Sequence, residues 1–186
     1  MYLLNGASAD KLVVGIPTYG RAFKLVDSDQ SELGSPAEGP AEAGKATREQ
    51  GYLAYYEICE KIAKDDWTVD RPDPDAVGPY AWSSSTREWV GYDDEDTVAR
   101  KSQFVNDNQL GGIMFWSIDN DDFRGTCTGR KYPLIEAAKA ALLGIPLPEI
   151  TSQPSTQSNR IGSSSDSSKS TTTAKSVNTF YHFLEF

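Results

Sequence analysis

Two stretches of the chain are apolar almost without interruption, and both are short. KLVVGIPTYGR (11–21) is an apolar run broken by Gly15 and Pro17, and GGIMFWSI (111–118) is apolar apart from its glycines and Ser117. Neither alternates with polar residues, so each reads as a strand of a parallel sheet, buried on both faces. Along the second, a period of two puts Met114, Trp116 and Ile118 on one face and Ile113, Phe115 and Ser117 on the other. Ahead of the first, LLNGASAD carries Gly6 where a helix C-terminus would be capped, which predicts the end of a helix and a short loop.

Helical spacing appears in three other places. Within 47–65, Leu53, Tyr56, Ile58 and Ile62 predict a helix over 51–64, with Thr47 as a cap ahead of it. Val98, Ser102 and Val105 share one side of a predicted helix over 94–108. YPLIEAAKAALLG predicts a helix over 132–143, with Pro133 in its first turn and Gly144 past its end. The Gly-, Pro- and Ser-rich stretch 25–46 reads as loop. Within 67–92, two aromatic segments flank SSSTRE, the pattern of a β-hairpin. Strand, long insertion, helix, strand, helix is the order of a β/α fold carrying an inserted α+β piece. Two parallel strands cannot close a sheet, so the folded part reads as a portion of something larger.

From Thr151 the pattern ends: TSQPSTQSNRIGSSSDSSKSTTTAKS has Ile161 as its one large aliphatic residue. Such a stretch cannot bury enough apolar surface to offset roughly 1–2 kcal/mol of backbone ordering per residue. The reading is therefore folded material to residue 148, a Ser/Thr-rich linker over 149–178 and an unassigned aromatic ending over 179–186. The chain carries a net charge of −9, and the +1 of residues 151–186 leaves about −10 on the part before them. With no Lys/Arg cluster, nucleic acid is excluded as a partner, and no apolar run approaches the ~20 residues that span a bilayer. MYLLNGASADK has neither the basic region nor the cleavage site of a signal peptide.

Cys59 and Cys127 stand too far apart for a C-x-x-C redox or zinc pattern, which leaves two buried thiols or a disulfide. A bridge needs an oxidising compartment, and Ser/Thr-rich stalks are often extracellular. Asp119, Asp121 and Asp122 could suggest a cation site, but three acids without the rest of a ligand loop read as groups that order a loop.

Taken together, KLVVGIPTYGR, TREQGYLAYYEIC, YAWSSSTREWVGYDD and GGIMFWSIDNDDF followed by TCTGRKYPLIEAAKAAL resemble, in that order, the last third of glycoside hydrolase family eighteen chitinases of animal, particularly arthropod, type. The resemblance covers about residues 1–145. It implies an incomplete (β/α)8 TIM barrel with an inserted α+β domain, followed by the tail. On that map 1–18 holds the end of helix six and strand seven, 19–92 the insertion, and 93–148 helix seven, strand eight and helix eight. It also implies a secreted, monomeric glycosidase acting on chitin or chito-oligosaccharides, with no metal and no cofactor.

Sites in such barrels lie at the carboxyl ends of the strands. The strand alone would make Trp116 a core filler. The resemblance instead makes Trp116 the floor under a reacting N-acetylglucosamine, with Met114 beside it, since a flat ring packs on a pyranose and Met adapts to irregular shape. Tyr19 and Arg21, placed at the end of strand seven, supply a hydroxyl and a guanidinium fork for sugar hydroxyls and the acetamido group. Glu49 matches a sugar-contacting position at the edge of the insertion. Read without the resemblance, Arg21 pairs with a surface acid and Glu49 is a first-turn helix carboxylate. The family usually has an aromatic where Thr18 stands, which predicts a narrower stacking surface. Cys59 and Cys127 match a disulfide of animal members.

The family's chemistry needs D-x-x-D-x-D-x-E, whose Glu protonates the glycosidic oxygen while the substrate's own acetamide attacks the anomeric carbon. DSDQSE, DRPDPDA and DNDDF all fail that spacing, so no catalytic residue is assigned to these 186 residues. Three readings follow: the C-terminal portion of a secreted chitinase, inactive alone; a non-catalytic chitin-binding lectin; or an insertion domain acting as an interaction piece. The first is expected, with the open inner faces of its two strands weakening the isolated fold.

Overall fold

A computed structural model describes residues 2–64, 66–73 and 78–147. Among them the elements, in chain order, are β1 (Val13–Pro17), β2 (Tyr19–Leu25), β3 (Ala37–Pro40), β4 (Tyr52–Ala54), α1 (Tyr55–Ile62), β5 (Trp67–Asp70), β6 (Tyr80–Ser83), β7 (Glu88–Gly91), α2 (Glu95–Asp107), β8 (Gly112–Trp116) and α3 (Pro133–Leu143). The linker read over 149–178 and the ending 179–186 lie outside the described residues. No helix among the described residues is long and apolar enough to cross a membrane.

The two apolar runs pair with each other. β1 and β8 form a parallel ladder in which Gly15 stands opposite Met114 and Pro17 opposite Trp116. The strands between them in sequence build a second, antiparallel sheet of order β3-β2-β7-β6-β5, with β4 also on β2. The aromatic hairpin is β6–β7, with Ala81 opposite Val90 and Trp82 opposite Trp89.

One face of the six-stranded sheet is sealed. Ala22, Ala81 and Val90 are at most 1% exposed there and join Leu53, Tyr55 and Ile58 in the core cluster. Gly20 permits this approach: a Cβ on it would lie 2.6 Å from Val90 and 2.8 Å from Ile58. The same cluster takes in Ile16 of β1, Val98 of α2 and Leu134, Ala137 and Ala138 of α3. Each of the larger aliphatic side chains among them contributes about 1.5–3 kcal/mol by leaving water.

The helices obey their end signals. Asp94 caps α2 by accepting from the Thr97 N–H at 2.8 Å, and Val98, Ser102 and Val105 are buried along it together with Thr97. α3 begins on Pro133 and ends at Gly144 in the left-handed region. Gly6 likewise has a φ of 85° after a single turn of 3₁₀ helix over Leu3–Asn5.

Five expectations need correction. Residues 51–64 are not one helix: Tyr52–Ala54 are a strand on β2, and α1 starts at Tyr55. Thr47 does not cap it; its hydroxyl donates to the Glu57 carboxylate at 2.8 Å. Helical spacing misled because Leu53 is buried by the sheet, while Gly51, with a φ of 70°, marks the break between loop and strand. The stretch 25–46 is not all loop, since Ala37–Pro40 pairs with the end of β2. Tyr19 and Arg21 do not close the parallel strand, which ends at Pro17; they open the antiparallel sheet. Nor is the parallel ladder buried on both faces in this chain: Val13 is 56% exposed and Trp116 63%.

Glu57 holds the loop ahead of α1. Its carboxylate accepts from the N–H groups of Ala46 (2.7 Å) and Ala54 (3.1 Å) besides the Thr47 hydroxyl. The side chain is buried, and a Cβ on Gly44 would collide with it at 2.4 Å. Glu57→Ala leaves these donors unsatisfied, so urea unfolding is expected to show a loss of about 1–3 kcal/mol. An unchanged midpoint would show that water serves the loop equally well.

Candidate functional site

The floor comes from the parallel pair. On β8 the side chains of Ile113 and Phe115 pack on the core, so alternation turns Met114 (47% exposed) and Trp116 (63%) outward together, with Ile118 beyond them. Gly15 opposite leaves space for Met114, whose Cε lies 3.5 Å from where a Cβ would stand.

The wall comes from the antiparallel sheet. Register sets Arg21 opposite Tyr52, and Tyr19 stacks on Tyr52 with ring centroids 4.6 Å apart. The Arg21 guanidinium sits 5.3 Å from each ring centroid. Its Nη1 is 4.0 Å from the Glu49 carboxylate, with both side chains more than half exposed. Such a pair contributes about 0–1 kcal/mol, so neither group is held back from a ligand.

Floor and wall are tied at two places. Thr18 lies between them with no exposed surface. Its N–H donates to the Trp116 carbonyl at 3.2 Å, its carbonyl accepts from the Tyr55 N–H at 3.0 Å, and its hydroxyl donates to the Ser117 carbonyl. Thr18 therefore points into the fold, and its side chain is no part of the stacking surface. The second tie is Asn120, whose Nδ2 donates to the Tyr52 hydroxyl (3.0 Å) and the Ser117 hydroxyl (2.9 Å). Burial, reinforced by Tyr19 and the Asp119 carboxylate, raises the Tyr52 phenol above its ordinary value. It stays protonated at neutral pH and can donate.

Behind the floor, Asp121 and Asp122 order the loop. Asp122 accepts from the N–H groups of Gly125 (2.9 Å) and Cys127 (2.6 Å). Asp121 accepts from the N–H groups of Asp122 (2.8 Å) and Ile135 (3.1 Å), the latter in the first turn of α3. Cys59 and Cys127 form a disulfide with Cα atoms 5.5 Å apart, joining α1 to this loop. No group of His, Cys, Asp or Glu among the described residues is arranged to hold a metal.

All five residues expected at the site fall into this arrangement. Trp116 and Met114 share the floor, while Tyr19, Arg21 and Glu49 share the wall. Sequence reasoning missed Tyr52, hidden inside the predicted helix, and Asn120, hidden among the aspartates. The signal for Tyr52 was Gly51 immediately before it.

Residues 1–121 match the family described as Glycosyl hydrolases family 18. The chain belongs to glycosyl hydrolase family 18. It is 48% identical over 145 residues to Probable chitinase 10 of Drosophila melanogaster, covering 78% of this chain and 6% of that protein. Against Chitinase-3-like protein 2 of Homo sapiens it is 44% identical over 144 residues, covering 76% of this chain and 35% of that protein. Catalytic domain 2 of the Ostrinia furnacalis Group II chitinase superimposes with a TM-score of 0.74 at 39% identity, over 80% of this chain and 38% of that one. Human YKL-39, described as a pseudo-chitinase with retained chitooligosaccharide binding, gives 0.69 at 42% identity, over 76% and 37%. The chain thus spans well under two thirds of each of these family members.

Burial pushes the Asp121 carboxyl up to about 6, with Asp122 adding to the rise against the backbone N–H groups that lower it. A folded value above the ordinary 3.8 means this contribution is full below about pH 4 and is lost as pH rises through about 6. Asp121→Asn removes the titration, so the stability lead of the native chain over this variant should shrink between pH 4 and 7. Thermal midpoints at the two pH values measure it; a lead that grows toward neutral pH would contradict the assignment.

Proposed function

We propose that the floor and wall bind β-1,4-linked N-acetylglucosamine oligomers. The observation that carries this reading is Trp116, 63% exposed at the carboxyl end of β8 and tied through Asn120 and Thr18 to a wall of Tyr19, Tyr52, Arg21 and Glu49. An exposed indole otherwise costs solubility; against a pyranose its face meets C–H groups. The phenols, the guanidinium and the carboxylate of the wall offer donors and acceptors to sugar hydroxyls and the acetamido group. Met114 fills beside them.

In this reading β1 and β8 are strands seven and eight of a (β/α)8 barrel, with 19–92 as its insertion and α2 and α3 as helices seven and eight. The whole barrel hydrolyses chitin when a D-x-x-D-x-D-x-E segment stands across the floor, and the 186 residues alone hold the sugar without cleaving it. Family membership and the Drosophila and Ostrinia chitinases support the hydrolase. The disulfide supports an extracellular setting. A second reading, a non-catalytic sugar binder, draws on the family member described as a pseudo-chitinase.

Calorimetric titration with chitotetraose should show binding by the native chain, weakened about tenfold or more in Trp116→Ala. Fluorophore release from a labelled chito-oligosaccharide should be absent in both. Equal affinity of the two proteins would sink the binding reading, and release would contradict the absence of cleavage. Restoring a D-x-x-D-x-D-x-E-bearing barrel and finding no release would favour the non-catalytic binder.

A further inference from the structure

The face of the six-stranded sheet turned away from the core cluster carries more aromatic residues than the wall uses. Along β2 the side chains of Tyr19, Arg21 and Phe23 share one face, opposite to Ala22, which is in the core. Cross-strand partners extend that face: Gly91 and Trp89 on β7, then Trp82 and Tyr80 on β6, with Tyr80 buried at the base of the row. The rings touch in sequence, Phe23 to Trp89 at 6.2 Å, Trp89 to Tyr80 stacked at 5.2 Å, and Tyr80 to Trp82 at 5.7 Å. Arg21 stands on β2 between this row and the Tyr19–Tyr52 stack.

The row is held open. Gly91 stands opposite Arg21, and a Cβ there would lie 3.1 Å from the far edge of the Trp89 ring. With no side chain at 91, the Trp89 ring lies forward along its strand over Gly91, and its indole N–H donates to the Ser31 carbonyl at 3.1 Å, which fixes the ring. Two recesses result, and both are lined by Trp89. One, of about 380 Å³, runs from Tyr19 and Arg21 past Leu33 to Lys101. The other, of about 250 Å³, lies between Phe23 and Glu32. The first is of the size that receives small ligands. Phe23 and Leu33 remain 42% and 50% exposed beside them.

We propose that this face is a second sugar-holding surface, on which Trp89 and Phe23 receive further N-acetylglucosamine units of the same chain that lies on Trp116. The inference rests on the cleft reading above. Its support is continuity, since Tyr19 and Arg21 line both the wall and the larger recess. Chemistry agrees: ring faces alternate with Arg21, Lys101 and Glu32, which suits a neutral ligand with apolar faces and hydroxyl edges.

The test is calorimetric titration of the full 186-residue chain with chito-oligosaccharides from the dimer to the hexamer. Native affinity should climb with length beyond what the floor alone can hold. Phe23→Ala and Trp89→Ala should lose an amount that grows with length, reaching about five- to tenfold for the hexamer. Trp116→Ala should weaken every length. Phe23 is half exposed, so its variant keeps the fold if Trp89→Ala does not. Independently, the Trp89 indole N–H resonance of the native chain should shift on adding the hexamer. Hexamer affinity unchanged in Phe23→Ala, with a still Trp89 resonance, overturns the second surface. A length-independent Trp116→Ala loss beside that result leaves the cleft reading standing, whereas no loss in Trp116→Ala removes the cleft reading itself.

Discussion

Thr18 is the residue on which the site depends. It stands where the chain leaves a parallel ladder and enters an antiparallel one, and each of its polar groups is used within the fold. The N–H and hydroxyl fasten it to the carbonyls of Trp116 and Ser117, and its carbonyl receives the Tyr55 N–H at the start of α1. With no exposed surface, these bonds have no water to replace them, and breaking one costs about 1–3 kcal/mol. The exposed Arg21–Glu49 pair contributes less than that. The relative position of Trp116 and Tyr19 is therefore set from behind by a buried hydroxyl, which leaves the front of the site free to bind.

The same division runs through the rest of the molecule. Asp121, Asp122, Glu57 and the Cys59–Cys127 bridge fix loops from the buried side. The aromatic and cationic groups, from Trp116 through Tyr52 and Arg21 to Phe23, are left facing outward. Acidic residues in the chain thus do two kinds of work: those against backbone N–H groups order structure, and those at the rim, such as Glu49, stay available. The three aspartates after β8 belong mostly to the first kind, since Asp121 and Asp122 are at most 1% exposed and occupied by backbone donors.

Much of this is legible in the sequence. The apolar runs, the α2 face of Val98, Ser102 and Val105, and the Pro133–Gly144 ends of α3 follow from local chemistry alone, and all five expected site residues occupy one connected arrangement. What failed was decided by tertiary contact. Tyr52–Ala54 satisfies a helical period, yet β2 supplies an edge that captures it as strand. Ala37–Pro40 has little strand propensity and pairs only because β2 continues past the reach of β4. Thr18 looked like a surface substitution because nothing in GIPTYGR reveals that the chain changes sheets there. The row from Phe23 to Trp82 depends on register, which local sequence does not specify.

The most direct measurement is a crystal structure of the chain with a bound chito-oligosaccharide. A pyranose should lie on the exposed face of Trp116, with sugar hydroxyl or acetamido groups about 2.7–3.2 Å from the Tyr52 or Tyr19 hydroxyl or the Arg21 guanidinium. Density for sugar elsewhere on the surface, with the Trp116 face bare, would contradict the reading of this junction as a sugar cleft.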